Sequence, residues 1–233
     1  MIKAVLWDID GTILDFDASE KAAIRKGFED YHLGEVTDEM IEDYSRINKG
    51  YWERLERKEL TKIQVLRGRF EEFFTVWNIP HTSQTVIDFN DDYQVNLGDT
   101  ICIRDDALTI ISELKSKVKQ YVITNGTKVA QDKKLHLSGL DELLKGHIYI
   151  SEVVGVEKPD PAFFAPILAD LPGVDPREIL VVGDSLTSDM KGAENIGAKG
   201  CWYNYKHLPN NKGIDTAYEI TDLHEIFGII EES

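Results

Sequence analysis

Cysteine is scarce in this chain: Cys102 and Cys201 are the only two among 233 residues. Two thiols make no disulfide framework, which points to a reduced compartment and a core that holds without cross-links. Cations are also in short supply. Lys and Arg number 26 against 42 Asp and Glu, a formal charge of −16. That balance disfavours non-specific binding to nucleic acid or anionic membranes. An anionic substrate would have to be met by a local cationic site and a metal. No apolar run approaches the ~20 residues needed to span a bilayer. Met1-Ile2-Lys3 runs straight into a strand pattern and leaves no room for a signal peptide. Internal repeats and low-complexity tracts are absent. The expectation is a soluble, acidic, cytoplasmic protein, of a length that suits one large α/β domain or a core with a smaller insert. The 42% of apolar residues is ample for such a core.

The chain does have short apolar runs that each end in small polar residues. Ile2, Ala4, Val5, Leu6 and Trp7 form the first, stopped by Gly11. Tyr121-Val122-Ile123 ends at Thr124-Asn125-Gly126, and His147 to Ile150 ends at Ser151-Glu152. Ile179-Leu180-Val181-Val182 ends at Gly183-Asp184-Ser185, and Gly200-Cys201-Trp202-Tyr203 follows. Near-continuous apolar strands separated by helical patterns argue for a parallel sheet covered on both faces. Asp160 with Pro161 marks a helix start, and Asp175-Pro176 repeats that signal. Residues 16–98 differ: β-branched clustering is sparse and the pattern is that of amphipathic helices, one opened by Thr37 and another by Thr61. The fold class is therefore α/β, a Rossmann-like doubly wound parallel sheet formed by residues 1–15 and 99–233. A small all-α cap, residues 16–98, is inserted after the first strand. Phe16-Asp17 and Leu97-Gly98-Asp99 are the expected hinges of that insert, which is placed to act as a lid.

The most telling segment is Asp8-Ile9-Asp10-Gly11-Thr12. Side chains two apart on an extended segment face the same way, so Asp8 and Asp10 converge. Two carboxylates at the end of a buried strand repel each other unless a cation joins them or one is protonated. Three further clusters need the same explanation: Thr124-Asn125-Gly126, Lys158-Pro159, and Gly183-Asp184-Ser185 with Asp189. Each alone has an ordinary reading, as a strand-to-turn signal, a surface lysine, or an acid early in a helix.

Together and in this order, the four clusters resemble the haloacid dehalogenase-like phosphohydrolase superfamily, with the helical insert where that superfamily places its first type of cap. The resemblance implies a phosphatase that uses Mg²⁺. Asp8 is then the nucleophile, forming an aspartyl-phosphate, and Asp10 the general acid and later general base. Thr124, Asn125 and Gly126 bind the phosphoryl oxygens, and Lys158 supplies fixed positive charge. Asp8, Asp184 and the backbone carbonyl of Asp10 hold the metal, with Asp189 orienting Lys158 or a metal-bound water. Halide needs no protonation on leaving, so Asp10 favours phosphate ester over haloacid.

Within the insert, Tyr44, Asn48-Lys49, Trp52, Thr61 and Gly68-Arg69-Phe70-Glu71 resemble a narrower group, the house-cleaning pyrimidine 5′-nucleotidases. The likeness extends to Ile150 through Pro159 and to Cys201-Trp202-Tyr203-Asn204. It implies substrates such as UMP, dUMP, dTMP and non-standard pyrimidine monophosphates. Tyr51 and Trp52 would stack on the base and Asn48 would pair with its edge, although aromatics at helical spacing more often form a core. Lys49, Arg67 and Arg69 are weaker candidates for substrate contact. One departure is that Asp10-Gly11-Thr12 has the general superfamily form. A sugar-phosphate phosphatase shares every catalytic residue; a phosphomutase and a catalytically silent binding module are the remaining alternatives.

Overall fold

The computed structural model describes residues 1–232, and they separate into two compact units. One comprises Met1–Phe16 with Ile101–Ser233, the other Asp17–Thr100.

The first unit is built on six parallel strands: β1 (Ala4–Trp7), β2 (Lys119–Thr124), β3 (Ile148–Ile150), β4 (Ile179–Gly183), β5 (Lys199–Tyr203) and β6 (Tyr218–Ile220). Their spatial order is β3-β2-β1-β4-β5-β6. The first strand in sequence thus lies at the centre, where the winding direction reverses. Open α/β sheets bind ligands beyond the strand carboxyl ends at such a point. Trp7 lies opposite Val122 of β2 and Val182 of β4, so β4 runs one residue and β2 two residues past the end of β1. Successive side chains alternate between the faces. Val5 and Trp7 join Val122, Leu180 and Val182 in one core cluster, together with Ile110, Ile111 and Leu114. Ala4 and Leu6 join Tyr121, Ile123 and Val181 in another, under Phe163, Phe164 and Ile167. Both faces are covered, which is why these strands read as unbroken apolar runs.

The helices of this unit are short, and two of them matter for the site. One, Lys128–Ser138, follows β2, and the other, Lys191–Ile196, follows a π-helical turn, Leu186–Met190, after β4. Pro161–Ala169 starts as expected, with Asp160 capping the Ala162 N–H and proline at the first turn. One expectation is corrected. Asp175-Pro176 opens only a 3₁₀ turn, Pro176–Glu178, because β4 begins immediately after it. The edge strand β6 carried too short an apolar run to stand out in the sequence.

The second unit contains most of α1 (Phe16–Asp30), with α2 (Asp38–Glu56), α3 (Lys62–Val76) and α4 (Ser83–Asn96). Thr37 caps α2 through the Met40 N–H, and Thr61 forms a capping box with Gln64 at α3. The core is aromatic. Tyr44 stacks on Phe70 at 5.0 Å, and Phe70 meets Phe89 and Tyr93 edge-on, also at 5.0 Å. Among the described residues, no helix is long and apolar enough to cross a membrane.

Candidate active site

The site is assembled where β1, β2 and β4 end. Asp8 follows β1 and is held in place by its backbone N–H, which donates to the Val182 carbonyl at 2.9 Å. Its side chain is buried. The Lys158 ammonium, also buried, donates to Asp8 Oδ1 at 2.7 Å, to Asp189 Oδ1 at 2.7 Å and to the Ile123 carbonyl at 3.1 Å. All three donors of Lys158 are therefore engaged. Thr12 donates its hydroxyl to Asp8 Oδ2 at 3.2 Å. Carboxylate oxygens of Asp8, Asp184 and Asp189 all lie within 4.8 Å of one another.

Gly11 allows this approach. It has φ +94°, and a Cβ there would collide with the Asp184 carboxylate. The Trp202 indole donates to the Asp184 carbonyl at 2.9 Å, fixing the strand end from the β5 side. Asp189 lies in the π-helical turn rather than in a regular helix start, and its Oδ2 accepts from the Ser185 N–H at 3.2 Å.

Three carboxylates against one ammonium leave this cluster short of positive charge. Burial pushes the Asp8 carboxyl well above the usual carboxylate range; Lys158 pulls it down, while Asp189 and Asp184 add to the rise. Burial and the Asp189 carboxylate push Asp184 up to about 7. Burial works against charge on Lys158, yet Asp189 and Asp8 hold its ammonium above the ordinary lysine value. An all-oxygen donor set with uncompensated negative charge fits a hard divalent cation.

Thr124 ends β2, and its hydroxyl oxygen accepts from the Gly126 N–H at 3.0 Å. The helix after it starts at Lys128 with Thr127 at the cap, one turn later than the loop itself. The expected pair of N–H groups at a helix start is thus modified: that of Gly126 already meets Thr124. The Asn125 amide clamps the backbone of Lys158, accepting from its N–H at 2.8 Å and donating to its carbonyl at 2.9 Å. It also donates to Ser188 Oγ at 3.3 Å. Asn125 therefore links the β2 loop to the lysine segment and the turn after β4.

The Asp10 side chain stands outside the carboxylate cluster. Its Oδ2 accepts from Gln131 Nε2 at 2.6 Å and its Oδ1 from Lys134 Nζ at 2.5 Å. Sequence motifs marked neither Gln131 nor Lys134, and they gave Thr12 no role of its own. Gln131 and Lys134 sit one helical turn apart, directly after the Thr124 loop, and that spacing is the one signal of a shared target.

In the helical unit, Asn48 is buried with both ends of its amide taken. It donates to Glu20 Oε1 at 2.7 Å and accepts from Arg69 Nη1 at 2.8 Å. The edge pairing expected of Asn48 is not open in this arrangement, because neither end of the amide is free. Tyr51 is half-buried over Gly68, with Arg54 5.4 Å from its ring. Trp52 is also half-buried, and Lys62 lies 5.9 Å from its ring. Lys49 and Arg67 are exposed, whereas Arg69 is buried.

Residues 2–197 match the haloacid dehalogenase-like hydrolase family. The chain belongs to that family. A HAD-hydrolase of Bacillus subtilis, YfnB, is 33% identical over 228 residues, covering 98% of this chain and 95% of YfnB. Its magnesium-bound crystal structure superposes with a TM-score of 0.89 over 98% of both chains. Two curated relatives are pyrimidine 5′-nucleotidases. PynA of Streptococcus pneumoniae is 28% identical over 99% of this chain and 96% of its own. YjjG of Escherichia coli is 29% identical over 95% of each. The acidic cluster at the ends of β1 and β4 is the candidate active site.

Proposed function

We propose that this hydrolase cleaves phosphate monoesters through an aspartyl-phosphate on Asp8, and that its substrates are pyrimidine nucleoside 5′-monophosphates. The observation that carries the chemistry is the buried Asp8–Lys158–Asp189 array, which aims a carboxylate out of the sheet beside a fixed ammonium. The substrate class is supported by the near full-length similarity to PynA and YjjG.

Asp8 attacks phosphorus, a P–O bond forms to its carboxylate, and the bond to the leaving oxygen breaks. The leaving oxygen takes a proton from Asp10. Water then attacks the phosphoryl group, yields its proton to Asp10, and releases phosphate and free Asp8. Lys158 keeps Asp8 aligned and offsets the charge that gathers on the phosphoryl oxygens, while the Thr124 hydroxyl remains able to donate to one of them. Asp8, Asp184 and the Asp10 backbone carbonyl would hold Mg²⁺, which when bound supplies the positive charge that the carboxylates and the phosphoryl group lack. Asp189 holds Lys158. A cytoplasmic location completes the reading, in keeping with two free thiols.

The test is phosphate release with Mg²⁺ across nucleoside monophosphates, sugar phosphates and p-nitrophenyl phosphate, with an EDTA control. Preference for UMP, dUMP or dTMP is the expected result. Preference for sugar phosphates would remove the nucleotide reading and keep the chemistry, and silence on every ester would remove both.

A further inference from the structure

We propose that Gln131 and Lys134 are positioning residues for Asp10, a two-point clamp that fixes the carboxylate plane from which the proton reaches the leaving oxygen. The inference rests on the phosphohydrolase reading and adds residues that reading does not contain.

Three observations carry it. First, the clamp is complete: each oxygen of Asp10 accepts one bond, from Gln131 at 2.6 Å and from Lys134 at 2.5 Å. A carboxylate offers about four lone-pair sites, so two remain for the proton it exchanges with substrate and water. Without the clamp the group rotates about χ2, a broad and shallow torsion. Second, both donors are buried at a cost. Lys134 is 1% exposed and Gln131 1%, and the Gln131 amide oxygen has no hydrogen-bond partner. An ammonium and an amide are poor choices for filling space there, where an apolar side chain would pack without desolvation. Lys134 also lies 5.2 Å from the ring of Phe16, a contact that a leucine or methionine could equally make. Third, the path of Gln131 to Asp10 runs across Gly126. A Cβ at Gly126 would collide with the Gln131 amide nitrogen. The glycine of the β2 loop is thus explained by the clamp and not by backbone conformation, since it does not lie in the left-handed region. One helix, Lys128–Ser138, thereby ties the loop that meets the phosphoryl oxygens to the group that handles the proton.

A positioning role and a purely structural one predict different patterns across leaving groups. Nitrophenolate leaves with little need of a proton, whereas a ribose 5′-oxygen needs one. The experiment measures kcat/KM, which reports the step that forms the phosphoenzyme, for p-nitrophenyl phosphate and UMP with Mg²⁺. The proteins are wild type, Lys134→Met and Gln131→Ala. The expected result is a fall of roughly 10- to 100-fold on UMP, with less than about 3-fold on p-nitrophenyl phosphate, in each folded variant. Equal losses on the two esters, or no loss on either, would overturn the clamp. Should Lys134→Met fail to fold, Gln131→Ala decides the matter alone, since it removes one point of the clamp without leaving a buried charge. A wild type that hydrolyses neither ester would overturn the phosphohydrolase reading itself, and the clamp with it.

Discussion

Each unit of the molecule buries a charged cluster, and the two clusters differ in balance. In the helical unit, Glu20 accepts from Asn48 and Ser45, and Arg69 donates to Asn48 at 2.8 Å and Asn90 at 3.1 Å. One carboxylate faces one guanidinium, the amides between them close the chain of bonds, and Arg69 lies over the rings of Phe70 and Tyr93. In the sheet unit, Asp8, Asp184 and Asp189 share one ammonium. The first cluster is matched in charge, although the buried Arg69 Nε has no hydrogen-bond partner, and it acts as scaffold. The second is left short of positive charge, and a cationic ligand has something to gain by entering it. Buried charge therefore marks function only when it is unbalanced.

The sharpest way to break this comparison is to remove a carboxylate from each side. Asp8→Asn should lower phosphate release by about 10⁴-fold or more, measured as kcat on p-nitrophenyl phosphate, and unchanged turnover would strip the cluster of its proposed nucleophile. Next in size is Arg69→Met, which leaves Glu20 buried without its counter-charge. It should destabilise the helical unit by about 3–5 kcal/mol in urea melts. The double variant Glu20→Gln/Arg69→Met should recover much of that loss. If it does not, Arg69 acts by packing and the scaffold is not balanced by charge.

A dication should settle the unbalanced cluster and leave the balanced one alone. With Mg²⁺ at about 100 times its Kd, the unit that binds it gains about 2.7 kcal/mol against unfolding. EDTA should reverse the gain, and Asp184→Asn should reduce it. A gain that survives Asp184→Asn would place the cation elsewhere. The smallest effect is one of pH. Burial raises the Glu20 pKa from 4.5 in spite of its bonds to Ser45 and Asn48. The folded unit then holds more protons than the unfolded chain, so this group's contribution is greatest below pH 4.5 and falls as pH rises through the folded value. Glu20→Gln should flatten that fall in urea melts between pH 4.5 and 7; parallel curves for variant and wild type would show that Glu20 titrates as in the unfolded chain.

The same contrast accounts for what could be read in advance. Strand-end carboxylates are local in sequence, and Asp8, Thr124, Lys158 and Asp184 each sit beside a recognisable apolar run or helix start. The register of β1 with β2 and β4 then does the assembling. Contacts inside the helical unit depend on which helix faces turn inward, and periodicity alone does not say whether Asn48 meets a ligand or Glu20. Tyr51 and Trp52 share that ambiguity. Gln131 and Lys134 were hidden for another reason: on a helical wheel they look like surface polar residues, and only the third dimension aims them at Asp10. The expected insert, residues 16–98, rests on where strand patterning stops and resumes, whereas the compact unit Asp17–Thr100 is defined by contacts within it. The strand β6 was missed because three residues at a sheet edge carry too little pattern.

The central place of β1 has a consequence for how the protein is made. Ala4 pairs with Lys119 on one side and with Ile179 on the other. The strand thus leaves the ribosome long before either neighbour and is seated only after most of the chain has followed it. At roughly 5–20 residues per second, that is a wait of order ten seconds. During it the helices between residues 17 and 100 can close on contacts made among themselves. Asp8 meets Lys158 only when β1 docks, so a chain released early carries the proposed nucleophile without the ammonium that sits beside it in the folded protein.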